Sequence, residues 1–352
     1  LLDRVEHVVV LDILCTGQMS LVSDAATCSQ GDAGDEHLVK RIVAENHIDS
    51  IIHFAGSIVA PESVSDPLLY YRNNTVVSRA LLAAAIASNV NRFVFSSTAA
   101  VYGAAEDERV AEDSSLLPIS PYGRSKLMTE WMLQDVAHAY PNFRYVALRY
   151  FNVAGADLEG RTGQTSQTAT HLIKRACKVA LGRLPQLDIL GTDYPTLDGT
   201  GVRDYIHVSD LALAHLNALD ALNAGQPSGV FNCGYGNGFS VRQVVAAMEH
   251  ITGCKLPTVE GPRRPGARRE LHARSSVRPR GGDDAHPVRG DREHRRRPAV
   301  RGRRPARRPR PDPPRHEERR RRRHLEPRLA QPRPVPWEGL QKCHKRSTGG
   351  GL

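Results

Sequence analysis

The sequence predicts an α/β fold, a doubly wound parallel sheet followed by a smaller C-terminal domain. Three observations carry this expectation. Over the first 150 residues, short apolar segments alternate with amphipathic ones, the order that a parallel sheet flanked by helices requires. Segments such as Ile51-Ile52 and Phe93-Val94-Phe95 are continuously apolar, as expected of strands covered on both faces. Beyond Tyr150 the alternation loosens into longer loops and mixed elements, which marks off the second unit.

The elements follow in order. Residues 7–11 form the first strand-like run, closed by Asp12. A helix is expected over residues 36–46, a strand over 50–54, and a long helix over 67–89 around Ala80-Leu81-Leu82-Ala83-Ala84-Ala85. Strands at 92–96 and 144–150 flank a helix at 121–140. In the second unit, helices are expected at 170–181, 210–224 and 241–252, with an extended piece at 230–233. There is no internal repeat.

At 352 residues the chain suffices for about two domains with a substantial core. Its charge is uneven: residues 263–334 hold 26 Arg and no Lys against nine Asp plus Glu, a local +17 in a chain of +10. The basic character therefore belongs to that stretch and not to the folded part. From Ala267 onward the sequence is Arg/Pro/Gly-rich and lacks the apolar periodicity needed to bury a core. No apolar run approaches the roughly 18 residues of a membrane span, and no signal pattern opens the chain, so the expectation is a soluble cytoplasmic protein. Cys15, Cys28, Cys177, Cys233, Cys254 and Cys343 lack C-x-x-C spacing and paired His ligands. They read as reduced thiols, neither a disulfide framework nor a metal site.

Tyr122 and Lys126 lie four residues apart in Pro121-Tyr122-Gly123-Arg124-Ser125-Lys126, downstream of Ser96-Ser97-Thr98 at the end of a strand. On a helix, positions i and i+4 share a face, so phenol and ammonium can enter one pocket. A free Tyr, with pKa about 10, is a poor base at neutral pH. A nearby cation favours the phenolate, and the charge of an oxidised nicotinamide favours it further, so the pair can supply a base near neutrality. The same spacing also suits an ordinary solvated helix face. Asp12 closes its strand where a dinucleotide fold places an acid for the adenosine ribose hydroxyls, which selects NAD over NADP; otherwise an Asp there is a turn former. In His53-Phe54-Ala55-Gly56, small residues permit close backbone approach to a cofactor, and Asn73-Asn74 is disfavoured inside a helix unless a side chain has a task.

Taken in order, Val8-Val9-Val10-Leu11-Asp12, His53-Phe54-Ala55-Gly56, Ser96-Ser97-Thr98-Ala99-Ala100-Val101-Tyr102-Gly103, the Tyr122/Lys126 run, Leu148-Arg149-Tyr150-Phe151-Asn152 and Asp198-Gly199-Thr200-Gly201-Val202-Arg203-Asp204-Tyr205-Ile206-His207-Val208 resemble the bacterial UDP-glucose 4-epimerases. These belong to the extended short-chain dehydrogenase/reductase family, with a Rossmann-like sheet and a smaller C-terminal substrate domain. The resemblance spans about residues 8–266. It implies an NAD-binding domain over 1–150 and a substrate-binding part, with interleaved elements, over 151–266.

By the same resemblance Tyr122 is the base, Lys126 tunes it and binds the nicotinamide ribose, and Thr98 hydrogen-bonds the substrate hydroxyl. Asp12, Asp32, Phe54, Ala55, Gly56, Asn74, Ser96 and Phe151 would line NAD with Tyr122 and Lys126. Asn152, His171, Leu172, Leu190, Arg203 and Arg264 would hold the UDP-sugar with Thr98 and Tyr122, the two Arg on the pyrophosphate. The implied reaction is reversible oxidation at C4 interconverting UDP-glucose and UDP-galactose, in galactose metabolism and for surface polysaccharide. A UDP-N-acetylhexosamine, UDP-pentose or UDP-uronate 4-epimerase is the nearest alternative. Sugar-nucleotide 4,6-dehydratases carry an Asp-Glu pair after the Thr; Ala99-Ala100 stands here instead. The family also implies a homodimer, formed through the helices at 67–89 and 121–140.

The sequence departs from the family in places. The glycine-rich turn and first strand would precede Leu1, so the sheet is expected to lack an inner strand and the chain as written to bind NAD poorly. Ile13 stands where an Asn is expected, Ile58 where some members have Lys, and His171 where a uridine-side Asn is expected. After Gly266 the agreement ends, and residues 267–352 have the composition that GC-rich codons yield out of frame, which favours a reading-frame shift. A solvated tail is a second reading. A nucleic-acid-binding tail, the mark of a non-catalytic remnant, is a third, but the stretch lacks interleaved aromatics and Lys.

Overall fold

A computed structural model describes residues 1–263, apart from 5, 104–108 and 167–170, and the backbone of 272–273. Arg264 and nearly all of residues 267–352 lie outside the described residues. The strands are β1 (Val9–Asp12), β2 (Thr27–Gln30), β3 (Ser50–His53), β4 (Arg92–Ser96), β5 (Arg109–Val110), β6 (Arg144–Tyr150), β7 (Asn152–Ala154), β8 (Leu187–Leu190), β9 (Val202–His207), β10 (Gly229–Cys233), β11 (Gly238–Ser240), β12 (Thr258–Gly261) and β13 (His272–Ala273). The helices are α1 (Glu36–Asn46), α2 (Ala60–Ser65), α3 (Pro67–Tyr70), α4 (Val77–Ala87), α5 (Pro121–Ala139), α6 (Leu172–Ala180), α7 (Val208–Asn223) and α8 (Val241–Thr252).

Four strands form a parallel sheet in the order β10-β6-β4-β3, with Ser96 opposite Leu148 and Cys233 opposite Tyr150. One face packs on α1, α4 and α5 through Val39, Leu81, Leu82, Phe93 and Leu133. The other packs on α7 through Val94, Val146, Leu148, Ala214 and Ala218. Burial on both faces is why these strands read as unbroken apolar runs. β1 and β2 form a separate parallel pair, and among the described residues no ladder joins them to β3.

The segment beyond Tyr150 holds a further core, where Ala176, Val179, Leu187, Val245 and Leu256 join α6, β8 and α8. Its chain also returns to the first sheet, since α7 covers β4 and β6 and β10 extends the sheet beyond β6. The stretch beyond Ala267, expected to be structureless, contributes β13, which pairs with β5.

Local chemistry sets the helix ends. Asp35 accepts the His37 and Leu38 N–H groups at the start of α1, and Ser240 makes a capping box with Gln243 on α8. Ser120 accepts the Gly123 N–H at 3.2 Å with Pro121 in the first turn of α5, which places Tyr122 at the helix start. The helix expected over 67–89 is interrupted: residues Tyr71–Val76 are a π-helix between α3 and α4. The widened turn carries Asn74 into the interior, a use of π segments common at functional sites.

Gly103 follows the 3₁₀ turn Ala99–Tyr102 with φ +62°, and a Cβ there would lie 1.3 Å from the Leu117 carbonyl oxygen. Gly103→Ala is therefore expected to cost about 2 kcal/mol or more, read as a lowered denaturant midpoint. Among the described residues no helix is long and apolar enough to cross a membrane, no His/Cys/Asp/Glu group could hold a metal, and five cysteines are free.

Candidate active site

The carboxyl end of β4 and the first two turns of α5 meet at one buried point. Thr98 caps the following 3₁₀ turn, accepting the Ala100 N–H at 3.1 Å, and its side chain hydrogen-bonds the Tyr122 phenol. Lys126, one turn along α5, donates from Nζ to the Ser96 carbonyl at 3.0 Å and lies 4.9 Å over the Phe95 ring. The three residues expected to carry chemistry thus converge on Ser96-Ser97-Thr98.

Burial decides their electrostatics. It pushes the Tyr122 phenol well above its ordinary range, the neighbouring Tyr150 adds to this, and the Thr98 bond opposes it. Lys126 directs its ammonium to a carbonyl, so the protein's own groups hold Tyr122 as the neutral phenol at pH 7. Burial lowers Lys126 from 10.5 to about 8. His53, at the end of β3, is likewise lowered to about 3, by burial and then by the Lys126 charge, and is neutral against Phe95 with its Nε2 2.8 Å from Ser78 Oγ.

The lowered ammonium gives a signed prediction. Between about pH 8 and 10.5 the unfolded chain holds a proton that the folded chain has released. The penalty is thus full below pH 8 and disappears as pH rises through that window. Lys126→Met is expected to stabilise the fold at pH 7 by about 2 kcal/mol and to flatten the stability slope above pH 8, while abolishing turnover. Denaturant midpoints across pH check this; a loss of stability at pH 7 would contradict it.

The groups expected to line a dinucleotide lie at the carboxyl ends of parallel strands. Asp12 ends β1, its Oδ1 accepting the Leu14 N–H at 2.6 Å, with the Gly17 backbone packed beside the carboxylate. Phe54, Ala55 and Gly56 follow β3 as an exposed strip, the Phe54 ring 4.8 Å from that of His215. Gly56 has φ +147°, and a Cβ on it would come 2.8 Å from Asn74 Oδ1 and 3.6 Å from Lys126 Nζ. Only glycine leaves that backbone open beside the ammonium. Ser96 Oγ pairs with the Tyr150 hydroxyl at 2.5 Å, and Phe151 packs against the cluster of Ala99, Val101, Tyr102, Val110 and Leu127. An acid at a strand end, an open glycine backbone and a buried ammonium fit NAD.

Two of the expected groups are engaged internally. Asn74 is buried; its Oδ1 accepts the Ser57 N–H at 2.7 Å, and its Nδ2 donates to the Ser57 carbonyl and to Ser125 Oγ. It clips the Gly56 loop to α5. Asp32 closes a turn by accepting the Gly34 N–H at 2.8 Å.

On the substrate side, Asn152, His171 and Leu172 line a cleft of about 660 Å³ with Gly155 and Tyr205. Asn152 hydrogen-bonds Tyr205, and His171, the residue before α6, pairs its Nδ1 with Gln164 at 2.6 Å. Leu190 and Arg203 do not line this cleft. Leu190 ends β8, and Arg203 Nη1 donates to the Val202 carbonyl at 2.6 Å. Arg263 binds Asp193 at 2.7 Å and stacks 4.2 Å from the Tyr194 ring, pinning the loop after β8. The sequence alone assigns no role to Arg263, His53, Ser97 or Glu130. Only for Glu130 did spacing hold a signal, since it repeats the four-residue step from Tyr122 to Lys126 on α5.

Parallel strands that end on an acid and on an open glycine, joined to a Tyr-x-x-x-Lys helix, define a nucleotide-dependent enzyme of the short-chain dehydrogenase/reductase type. The pattern of the NAD dependent epimerase/dehydratase family matches residues 1–234. The chain belongs to that family. It is 53% identical over 258 residues to the UDP-glucose 4-epimerase of Azospirillum brasilense, covering 73% of this chain and 74% of the relative. The crystal structure of UDP-glucose 4-epimerase from Brucella ovis in complex with NAD is similar, with TM-score 0.74 and 41% identity over 78% of this chain and 83% of that one. So is the Bifidobacterium longum enzyme in complex with NAD+ and UDP, with TM-score 0.74 and 37% identity over 78% and 84% of the two chains.

Proposed function

We propose that the protein interconverts UDP-glucose and UDP-galactose. The observation that carries this reading is the buried meeting of Thr98, Tyr122 and Lys126 beside the open Gly56 backbone, in a chain 53% identical to a UDP-glucose 4-epimerase. Asp12 would hold the adenosine ribose and Lys126 the nicotinamide ribose, with Phe54, Ala55 and Gly56 against the cofactor. NAD, when bound, supplies the hydride acceptor and donor, and its nicotinamide charge favours the Tyr122 phenolate that burial disfavours. Thr98 holds the sugar 4-hydroxyl, and Tyr122 takes its proton and later returns it once the oxidised sugar has turned its other face. Asn152, His171 and Leu172 would hold the nucleotide sugar in the cleft. Ala99 and Ala100 after Thr98 supply no further acid or base, which fits epimerisation rather than dehydration.

The proposed division is an NAD-binding part over residues 1–150 and a substrate part over 151–266, a reading supported by the core around Ala176, Leu187 and Val245, with α7 and β10 returning to the first sheet. The exposed Leu68, Val76 and Trp131 on the helices at 67–87 and 121–139 support a homodimer through that face. Free thiols support a cytoplasmic place, in galactose metabolism and the supply of UDP-galactose for surface polysaccharide.

The test is a substrate panel. With NAD present, UDP-galactose is expected to convert to UDP-glucose faster than UDP-N-acetylgalactosamine, UDP-arabinose or UDP-glucuronate is epimerised. Preference for one of the latter would move the assignment to that sugar, and conversion of none would defeat it.

A further inference from the structure

Beneath the candidate base lies a buried charged network centred on Glu130 and Arg149. Glu130 stands one turn beyond Lys126, so Tyr122, Lys126 and Glu130 share one face of α5. Arg149 of β6 donates from Nε to Glu130 Oε1 at 3.0 Å and from Nη2 to Oε2 at 2.6 Å, and each side chain is only 4% exposed. Arg149 Nη1 continues to the Tyr102 hydroxyl at 3.0 Å and the Glu112 carbonyl at 3.1 Å. Glu130 Oε1 also accepts the Ser97 hydroxyl at 2.5 Å.

That last bond reaches the reacting groups. Ser97 lies between the residue whose carbonyl holds Lys126 and the residue whose side chain binds Tyr122. Its own N–H donates to the Leu148 carbonyl of β6 at 2.9 Å. With backbone tied to β6 and side chain tied to α5, Ser97 cannot turn without moving the Ser96 carbonyl and Thr98 together. A buried ion pair is weak evidence for stability, because apolar residues of similar volume often serve as well. Its position where α5, β4 and β6 meet points to geometry instead.

We propose that Glu130 is a positioning residue, setting through Ser97 the Ser96 carbonyl and the Thr98 side chain that hold Lys126 and Tyr122. The kinetic part of the test rests on the epimerase reading; the spectroscopic part does not.

Ser97→Ala cuts the link while leaving Glu130 and Arg149 to each other. With UDP-galactose and NAD, kcat is expected to fall about tenfold while KM stays within about twofold. In protein carrying ¹³C-labelled lysine, with the Lys126 signal assigned through Lys126→Met, its titration midpoint is expected to drop by about half a pH unit as the Ser96 carbonyl swings away. His53 from β3, which feels the Lys126 charge, and Tyr122, one turn back on α5, are unchanged in this variant. Parental kcat with a parental Lys126 midpoint would overturn the assignment. Should the parent protein fail to convert UDP-galactose, the epimerase reading falls, and the Lys126 midpoint alone decides the positioning role.

Discussion

Tyr122→Phe is expected to lower turnover of UDP-galactose by about 10²- to 10⁴-fold, the range for loss of a positioned acid/base group. The variant removes one oxygen and keeps the ring that meets Tyr70 edge-on at 6.4 Å. Thr98 retains its bond from the Ala100 N–H, so the 3₁₀ turn keeps its cap. Tyr122 is held as the neutral phenol, so removing the hydroxyl costs only its hydrogen bond with Thr98, about 1 kcal/mol. KM is expected near the parental value, because the lost interaction belongs to the reacting proton rather than to sugar binding. Steady-state kinetics and a thermal melt check both halves. A turnover within a few-fold of the parent would remove Tyr122 from the mechanism.

Glu130→Ala is expected to have the largest effect on stability, about 3 to 5 kcal/mol, because it strands the buried Arg149 guanidinium. For a protein of this size that is a fall in melting temperature of roughly 6 to 20 °C. The double replacement Glu130→Leu with Arg149→Met removes both charges at similar volume and is expected to recover most of the loss. Calorimetry of the single and double variants measures the coupling. If Glu130→Ala melts with the parent, the network does not hold α5 against β6.

Strand Arg92–Ser96, strand Arg144–Tyr150 and helices Glu36–Asn46 and Val241–Thr252 were legible because two-sided burial and helix capping write themselves into a local pattern. The π segment was not legible as such. Asn73-Asn74 marked something unusual, but helical periodicity cannot tell where a turn takes in an extra residue. The Tyr122/Lys126 pair was legible from one four-residue step; the environment that holds the phenol protonated is a property of burial, which spacing does not carry. Glu130 repeats that four-residue step on α5, but spacing does not name its partner. Only the register of β6 brings Arg149 to it from 19 positions away. Leu190 sits apart from the cleft of Asn152, His171 and Leu172 because β8 pairs with β12 in another small sheet, whereas Arg203 lies on β9 beside β7 and its guanidinium turns back to the Val202 carbonyl.

The central claim is that Tyr122, Lys126 and Thr98 serve a reversible oxidation at C4, in which the proton passes through Tyr122 and the C4 hydrogen does not. Converting UDP-galactose deuterated at C4 in ordinary water, with NAD present, tests it most directly. UDP-glucose is expected to keep its deuterium at C4, with no net accumulation of NADH. Product carrying solvent hydrogen at C4, or NADH formed in step with product, would contradict it.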